Sequence, residues 1–152
     1  MTRMKEKRLV LLDIDGTLAD NSHRQHLVSS PPKRWHEFFT KMTDDIPNVA
    51  VVNLYRTLCR SGDYDVVLVT ARPEKYRSVT EDWLRRYNID WTMLLMRADG
   101  DFRPDAEIKR EMLDKLKCTL DEIVFVIDDR TQTVRMWRSL GLTCFQCADH
   151  DF

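Results

Sequence analysis

Glycine is scarce in these 152 residues: Gly16, Gly62, Gly100 and Gly141 are the only four, and no two lie five apart. A phosphate-cradling G-x-x-x-x-G-K-[ST] loop cannot be built from them. Long apolar runs are missing as well. None approaches the roughly 20 residues of a membrane span, and residues 1–8 lack the apolar centre of a signal peptide. A cytoplasmic protein with no membrane association is the expectation. Nor is there an excess of either charge: 24 Lys and Arg face 25 Asp and Glu, for a net of −1. That balance excludes the broad basic face of sequence-blind duplex binding and leaves room for a local basic pocket. The four cysteines, Cys59, Cys118, Cys144 and Cys147, form no disulfide framework. Helical and strand patterning around them makes most of them reduced core residues. The lone Cys144-x-x-Cys147 has no second pair to complete a metal site.

What is present fits one ordered domain over 1–152, since 43% of the residues are hydrophobic and 32% charged. Leu9-Val10-Leu11-Leu12 reads as a strand buried on both faces, as in the middle of a parallel sheet. It runs straight into Asp13-Ile14-Asp15-Gly16-Thr17, which puts two carboxylates at the strand's carboxyl end, where open α/β sheets place their ligands. Gly16 supplies the turn that lets both reach one small volume. Two adjacent carboxylates at neutral pH need a cation or a shared proton to relieve their repulsion. The choice is a divalent metal site, a nucleophile beside an acid/base, or both. An EF-hand is excluded, because Gly is fourth here and the flank is a strand.

Beyond this strand, residues 20–47 read as an irregular insertion whose helical candidate is the aromatic stretch 33–42. Val51, Leu54, Tyr55, Leu58 and Cys59 keep helical spacing up to a stop at Gly62. Strands are expected at 65–70, 91–96, 123–127 and 142–147, with helices between them carrying Tyr76, Val79, Trp83, Leu84 and Tyr87, then Ile108, Met112 and Leu116, then Val134, Trp137 and Leu140. Asp105 reads as the cap of the second of these, and Trp83 and Trp137 as core. The alternation predicts a three-layer α/β fold with a doubly wound parallel sheet and a small cap insertion.

In such a sheet the polar strand ends share one edge. Asp13 and Asp15, Thr70 and Arg72, and Asp128, Asp129 and Arg130 meet there, with Lys109 on a helix beside them. The inventory suits phosphoryl transfer: a carboxylate nucleophile, a second carboxylate for the leaving-group proton, a hydroxyl and lysine for the phosphoryl oxygens, and a cation. Hard oxygen ligands point to Mg²⁺.

Taken in order, D-x-D-G-T at 13–17, Thr70, Lys109 and Asp128-Asp129 resemble the four motifs of the haloacid dehalogenase superfamily. Val126-Ile127-Asp128-Asp129-Arg130-Thr131-Gln132, Met136-Trp137-Arg138, the closing Asp151-Phe152 and the placement of Arg97 are similar to the 3′-phosphatase domain of phage polynucleotide kinase/phosphatase. The resemblance implies Asp13 as a nucleophile forming an aspartyl-phosphate and Asp15 as general acid/base. It further implies Mg²⁺ held by Asp13, the Asp15 carbonyl, Asp128 and Asp129, with Thr70 and Lys109 on the transferring phosphoryl group. Arg72, Arg97 and Arg130 would be substrate-side or supporting arginines. Two departures stand out: Thr70-Ala71-Arg72 replaces the relative's Ser-Gly-Arg, and residues 20–47 do not match well.

A segment of that length makes a flap, which suits a substrate that cannot be enclosed, such as a nucleic-acid end. His23, Arg24 and Trp35 are its candidate substrate contacts, alongside packing by at least two of Trp35, Phe38 and Phe39. The expected function is a Mg²⁺-dependent phosphomonoesterase acting on 3′-phosphates of DNA or RNA ends, with no kinase half in these residues. A small-molecule phosphatase such as a 5′-nucleotidase is the alternative, and a non-catalytic metal- or nucleotide-binding module the alternative from another class.

Overall fold

The structure, a computed structural model, describes residues 8–151; the leader reading of residues 1–8 falls, except for Arg8, outside them, as does Phe152. Strand β1 (Leu9–Leu12) is buried along its whole length. It lies at the centre of a five-stranded sheet with β4 (Asp65–Pro73), β5 (Met93–Arg97), β6 (Ile123–Arg130) and β7 (Cys144–His150). The order is β5-β4-β1-β6-β7, and every pairing is parallel. The chain thus winds one way from β1 to β4 and β5, and the other way to β6 and β7, as the alternating pattern predicts.

Alternation along the strands separates the two faces. Val10, Leu12 and Leu68 pack against Val51, Val52, Tyr55 and Leu58 of α2 (Val49–Ser61) and Trp83 and Leu84 of α3 (Arg77–Arg86). Leu9, Leu11, Val67, Val69 and Val126 pack against Ile108 and Met112 of α4 (Asp105–Lys115) and Val134 and Trp137 of α5 (Thr131–Ser139). Each such side chain contributes about 1.5–3 kcal/mol when fully buried, so this sandwich is a stiff platform for what stands on its edge. Helix α2 ends on Gly62 in the left-handed conformation, as read from the sequence.

Registry sets that edge. Leu12 pairs with Leu68 on one side and Ile127 on the other, and the N–H of Asp13 donates to the Ile127 carbonyl at 3.1 Å. Asp13 and Asp128, one residue past those partners, and Thr70, two past Leu68, therefore share one end of the sheet.

Several local expectations are corrected. The insertion is not irregular: β2 (Ala19–Asp20) and β3 (Ile46–Pro47) pair antiparallel at its base, Ser22–Leu27 is a 3-10 helix, and α1 (Trp35–Thr40) runs into a 3-10 turn at Lys41–Asp44. Strand β5 starts at Met93 and not at Trp91. Asp105 does not cap α4; Pro104 holds the N-cap position and the Asp105 carboxylate is used elsewhere. None of the four cysteines is in a disulfide, yet only Cys144 is buried, and Cys59 is exposed because it sits on the outer face of α2. Cys144 and Cys147 lie three apart on a strand, so their thiols leave opposite faces and make no pair.

Candidate active site

Asp13 stands at the end of β1, only 4% exposed. Its Oδ1 accepts a hydrogen bond from the Lys109 ammonium at 2.8 Å, and the same Nζ lies 2.8 Å from Asp128 Oδ2. The Thr17 hydroxyl lies 3.1 Å from Asp13 Oδ2 and 3.3 Å from Asp129 Oδ1. Asp128 also accepts from the Trp137 indole N–H at 3.2 Å and from the backbone N–H of Asp129 at 2.9 Å. Asp129 Oδ2 meets His150 Nδ1 at 2.6 Å.

Asp13, Asp128 and Asp129 each turn one carboxylate oxygen into a cluster whose oxygens lie within 4.8 Å of one another. Three carboxylates against one ammonium leave two negative charges in a buried place. Burial, followed by the repulsion of Asp128 and Asp129, raises the Asp13 carboxyl well above its usual range even though Lys109 opposes this. Asp129 is pushed up to about 7 by burial and by Asp128. Lys109 moves the other way: burial alone would lower it, but Asp128 and Asp13 hold the ammonium charged far beyond neutral pH. Buried, hard oxygen donors with a surplus of two negative charges fit a divalent cation such as Mg²⁺.

Gly16 is what lets the acids converge. Its φ is +77°, and a Cβ there would stand 2.2 Å from Asp129 Oδ2 and 2.9 Å from His150 Nδ1. The sequence motif thus needs glycine twice, for the left-handed turn and for the space.

Asp15 belongs to a different group. Its carboxylate faces Arg72, with Nη2 at 2.6 Å and Nε at 3.0 and 3.1 Å, and Arg24 Nη2 at 2.5 Å. Burial would raise this carboxyl, but Arg72 and Arg24 outweigh it and hold Asp15 far below the ordinary carboxylate range. Arg24, expected against substrate, is fully buried. Besides Asp15 it donates to both oxygens of Asp45, at 2.8 and 2.6 Å, and to the Phe38 carbonyl at 3.0 Å. His23 is likewise turned to Asp45, at 2.7 Å. Arg72 is fully buried as well and also donates to Thr80. Thr70 is buried, its hydroxyl accepting the Arg72 backbone N–H at 3.2 Å.

Arg97 and Arg130, read as substrate-side or supporting arginines, converge on Asp105, at 2.5 Å each. Arg97 also donates to the carbonyls of Ala71, Asp101 and Arg103, so it shapes the 99–104 loop. Trp35 is half-buried at the mouth of the acid cluster and shares a small cavity with Asp13, Asp15, Lys109, Asp128 and Asp129.

Residues that sequence reasoning missed include Asp45, Asp105, His150 and Trp137 as a hydrogen-bond donor. Asp45 and His150 work through partners 21 residues away, His150 also through Gln25, 125 residues off, and no local pattern marks them. Thr17 was visible as the last letter of the D-x-D-G-T motif.

The family model described as the polynucleotide kinase PNKP phosphatase domain matches residues 7–152. The chain belongs to that family. It is a phosphatase domain with the haloacid dehalogenase fold, as the motifs implied. A protein of Autographa californica nuclear polyhedrosis virus, named a bifunctional polynucleotide kinase/RNA ligase, is 27% identical over 149 residues, covering 96% of this chain and 20% of that protein. The solved Pnkp1/Rnl/Hen1 RNA repair complex contains a chain 33% identical with a TM-score of 0.80, covering 100% of this chain and 46% of that one. A haloacid dehalogenase-like hydrolase from Streptococcus pneumoniae shares the fold at 13% identity, with a TM-score of 0.64 over 94% of this chain and 85% of that one. The PNKP-type chain described here thus spans less than half the length of the two former relatives. Among the described residues no helix is long and apolar enough to cross a membrane.

Proposed function

We propose that this PNKP-type phosphatase removes the phosphate from 3′-phosphorylated nucleic-acid ends through an aspartyl-phosphate on Asp13. The observation that carries the reading is Asp13 itself: a buried carboxylate held by the Lys109 ammonium at 2.8 Å and sharing its cavity with Asp128 and Asp129. Attack by Asp13 Oδ on phosphorus forms the acyl phosphate and breaks the bond to the departing 3′ oxygen. Lys109 and Thr70 hold the phosphoryl oxygens. Asp15 relays a proton from solvent to the leaving oxygen, and in the second step takes one from the water that hydrolyses the acyl phosphate and returns it to solvent. The ionised state that Arg72 and Arg24 enforce is the one the second step needs.

Asp13, Asp128, Asp129 and the Asp15 carbonyl would hold Mg²⁺, which when bound would offset the charge of two anions brought together. The Arg72, Arg97 and Arg130 guanidiniums act as supports: Arg72 on Asp15, and Arg97 and Arg130 through Asp105. Arg24 fastens the flap to Asp15, and Arg24 and His23 hold Asp45 within it.

The substrate reading is supported by the family, by relatives named for polynucleotide kinase and RNA repair, and by a flap of fewer than 30 residues, which leaves room for a polymer. By the same likeness, RNA ends are the physiological target, and kinase or ligase activities would belong to other segments or partners. The test is phosphate release from a 3′-phosphorylated oligonucleotide and from mononucleotides, with Mg²⁺ or with a chelator. Release from the oligonucleotide is expected, and both chelation and Asp13→Asn should lower it by on the order of a thousandfold. Turnover of mononucleotides alone, or undiminished turnover by Asp13→Asn, would overturn the reading.

A further inference from the structure

A cleft of about 540 Å³ opens beside the acid cluster, and Trp35, Phe39, Asp105 and Arg130 line both. Its size falls within the roughly 300–1,000 Å³ of ligand-binding pockets. Trp35 and Phe39 of the flap and Tyr76 of the main body form one aromatic row: Trp35 and Phe39 stack with centroids 6.0 Å apart and planes at 25°, and Phe39 and Tyr76 lie 5.4 Å apart at 33°. Tyr76, Lys75 and Phe102 line only the outer cleft, whereas Trp35 also lines the cavity that holds Asp13.

Phe102 is 94% exposed, the most exposed large apolar side chain among the described residues. The loop presenting it is nevertheless well tied. Arg97 donates to the Asp101 and Arg103 carbonyls at 2.9 and 2.6 Å. Arg103 reaches Asp101 and Glu111 at 2.7 and 2.5 Å, and the Lys75 backbone N–H donates to Asp99 at 2.9 Å. An aromatic ring held in water by a braced loop is a surface waiting for a flat partner. The acids on this wall are already spent on those braces, whereas the exposed Lys33 and Lys75 ammoniums lie 5.7 and 5.2 Å from the Trp35 and Tyr76 ring centres. Stacking surfaces with flanking cations are the means by which single strands are bound without sequence preference.

We propose that this cleft is a single-strand subsite: Phe102 stacks on the base that precedes the 3′-terminal nucleotide, the aromatic row faces the terminal nucleoside, and Lys33 and Lys75 meet the connecting phosphate. The assignment rests on the 3′-end reading above and adds a requirement to it: the enzyme senses at least two nucleotides.

The experiment compares kcat/KM for a 3′-phosphorylated tetranucleotide with that for a nucleoside 3′-monophosphate. The wild type should prefer the tetranucleotide, and Phe102→Ala should cut that preference about tenfold, the scale of one lost base–aromatic stack, with Phe102→Trp restoring it. Ribose and deoxyribose tetranucleotides should lose equally. A wild type with no preference for the longer substrate, or a Phe102→Ala protein with the preference intact, would overturn the subsite while leaving the 3′-end reading standing. A wild type that turns over the monophosphate and not the tetranucleotide would overturn both.

Discussion

Removing Arg24 tests whether the flap is welded to the catalytic edge or merely rests on it. In Arg24→Met, Asp45 stays fully buried and keeps only His23 at 2.7 Å and Arg72 at 3.7 Å, while the Phe38 carbonyl loses its donor. Stripping one partner from a buried ion pair costs about 3–5 kcal/mol. At roughly 2–4 °C per kcal/mol for a domain of this size, Tm should fall by about 6–20 °C. Adding Asp45→Asn removes the orphaned charge, so the double variant should regain about 1–3 kcal/mol of that loss. Thermal unfolding of the two single variants and the double closes the cycle, and steady-state kinetics run alongside. Asp15 still has Arg72, so kcat should fall while KM for a 3′-phosphorylated strand moves little. A Tm within about 2 °C of wild type together with a tenfold rise in KM would refute this and return Arg24 to the substrate.

Gly16→Ala should cost about 1–2 kcal/mol from backbone strain alone. Displacing Asp129 should lower kcat by about a hundredfold, measured with the stability of the same protein. Lys109→Met should abolish most phosphatase activity and leave three acids without their ammonium, so its Tm should gain more from added Mg²⁺ than that of the wild type; calorimetry with and without the ion decides. Asp15 has a folded-state pKa below its ordinary 3.8. Its stabilisation is therefore complete at neutral pH and is lost as pH falls through and below about 4. Asp15→Asn should show a shallower loss of stability across that window in acid titrations of unfolding.

The sheet and the acid cluster were legible because both are written locally. A fully apolar strand ending in D-x-D, a second ending in Asp-Asp and a glycine directly after the first two acids fix their own geometry once parallel registry is known. Lys109 was legible only through the motif set, since nothing around it differs from an ordinary helical lysine. The arginines were left open between substrate and support for a physical reason: Arg24, Arg72, Arg97 and Arg130 pair with Asp15, Asp45 and Asp105. A charged residue's destination depends on which distant carboxylate it meets, and hydrophobic periodicity carries no trace of that. The 3-10 helix of Ser22–Leu27 escaped for the same reason, because it buries Arg24 beside a single apolar residue, Leu27, too few to set a period. Asp105 satisfied every rule for a helix cap and serves instead to anchor two guanidiniums.

The doorway of the insertion has a consequence for how such proteins diversify. Ala19 pairs with Pro47, Asp20 with Ile46, and the Asn48 N–H donates to the Leu18 carbonyl at 2.8 Å, so the polypeptide leaves and re-enters the body at a single spot. Whatever hangs between those rungs can lengthen, shorten or be exchanged without shifting a single strand of the sheet. The graft has one toll: a replacement must bring its own arginine and aspartate to the positions of Arg24 and Asp45, or the acid it covers loses half its counter-charge.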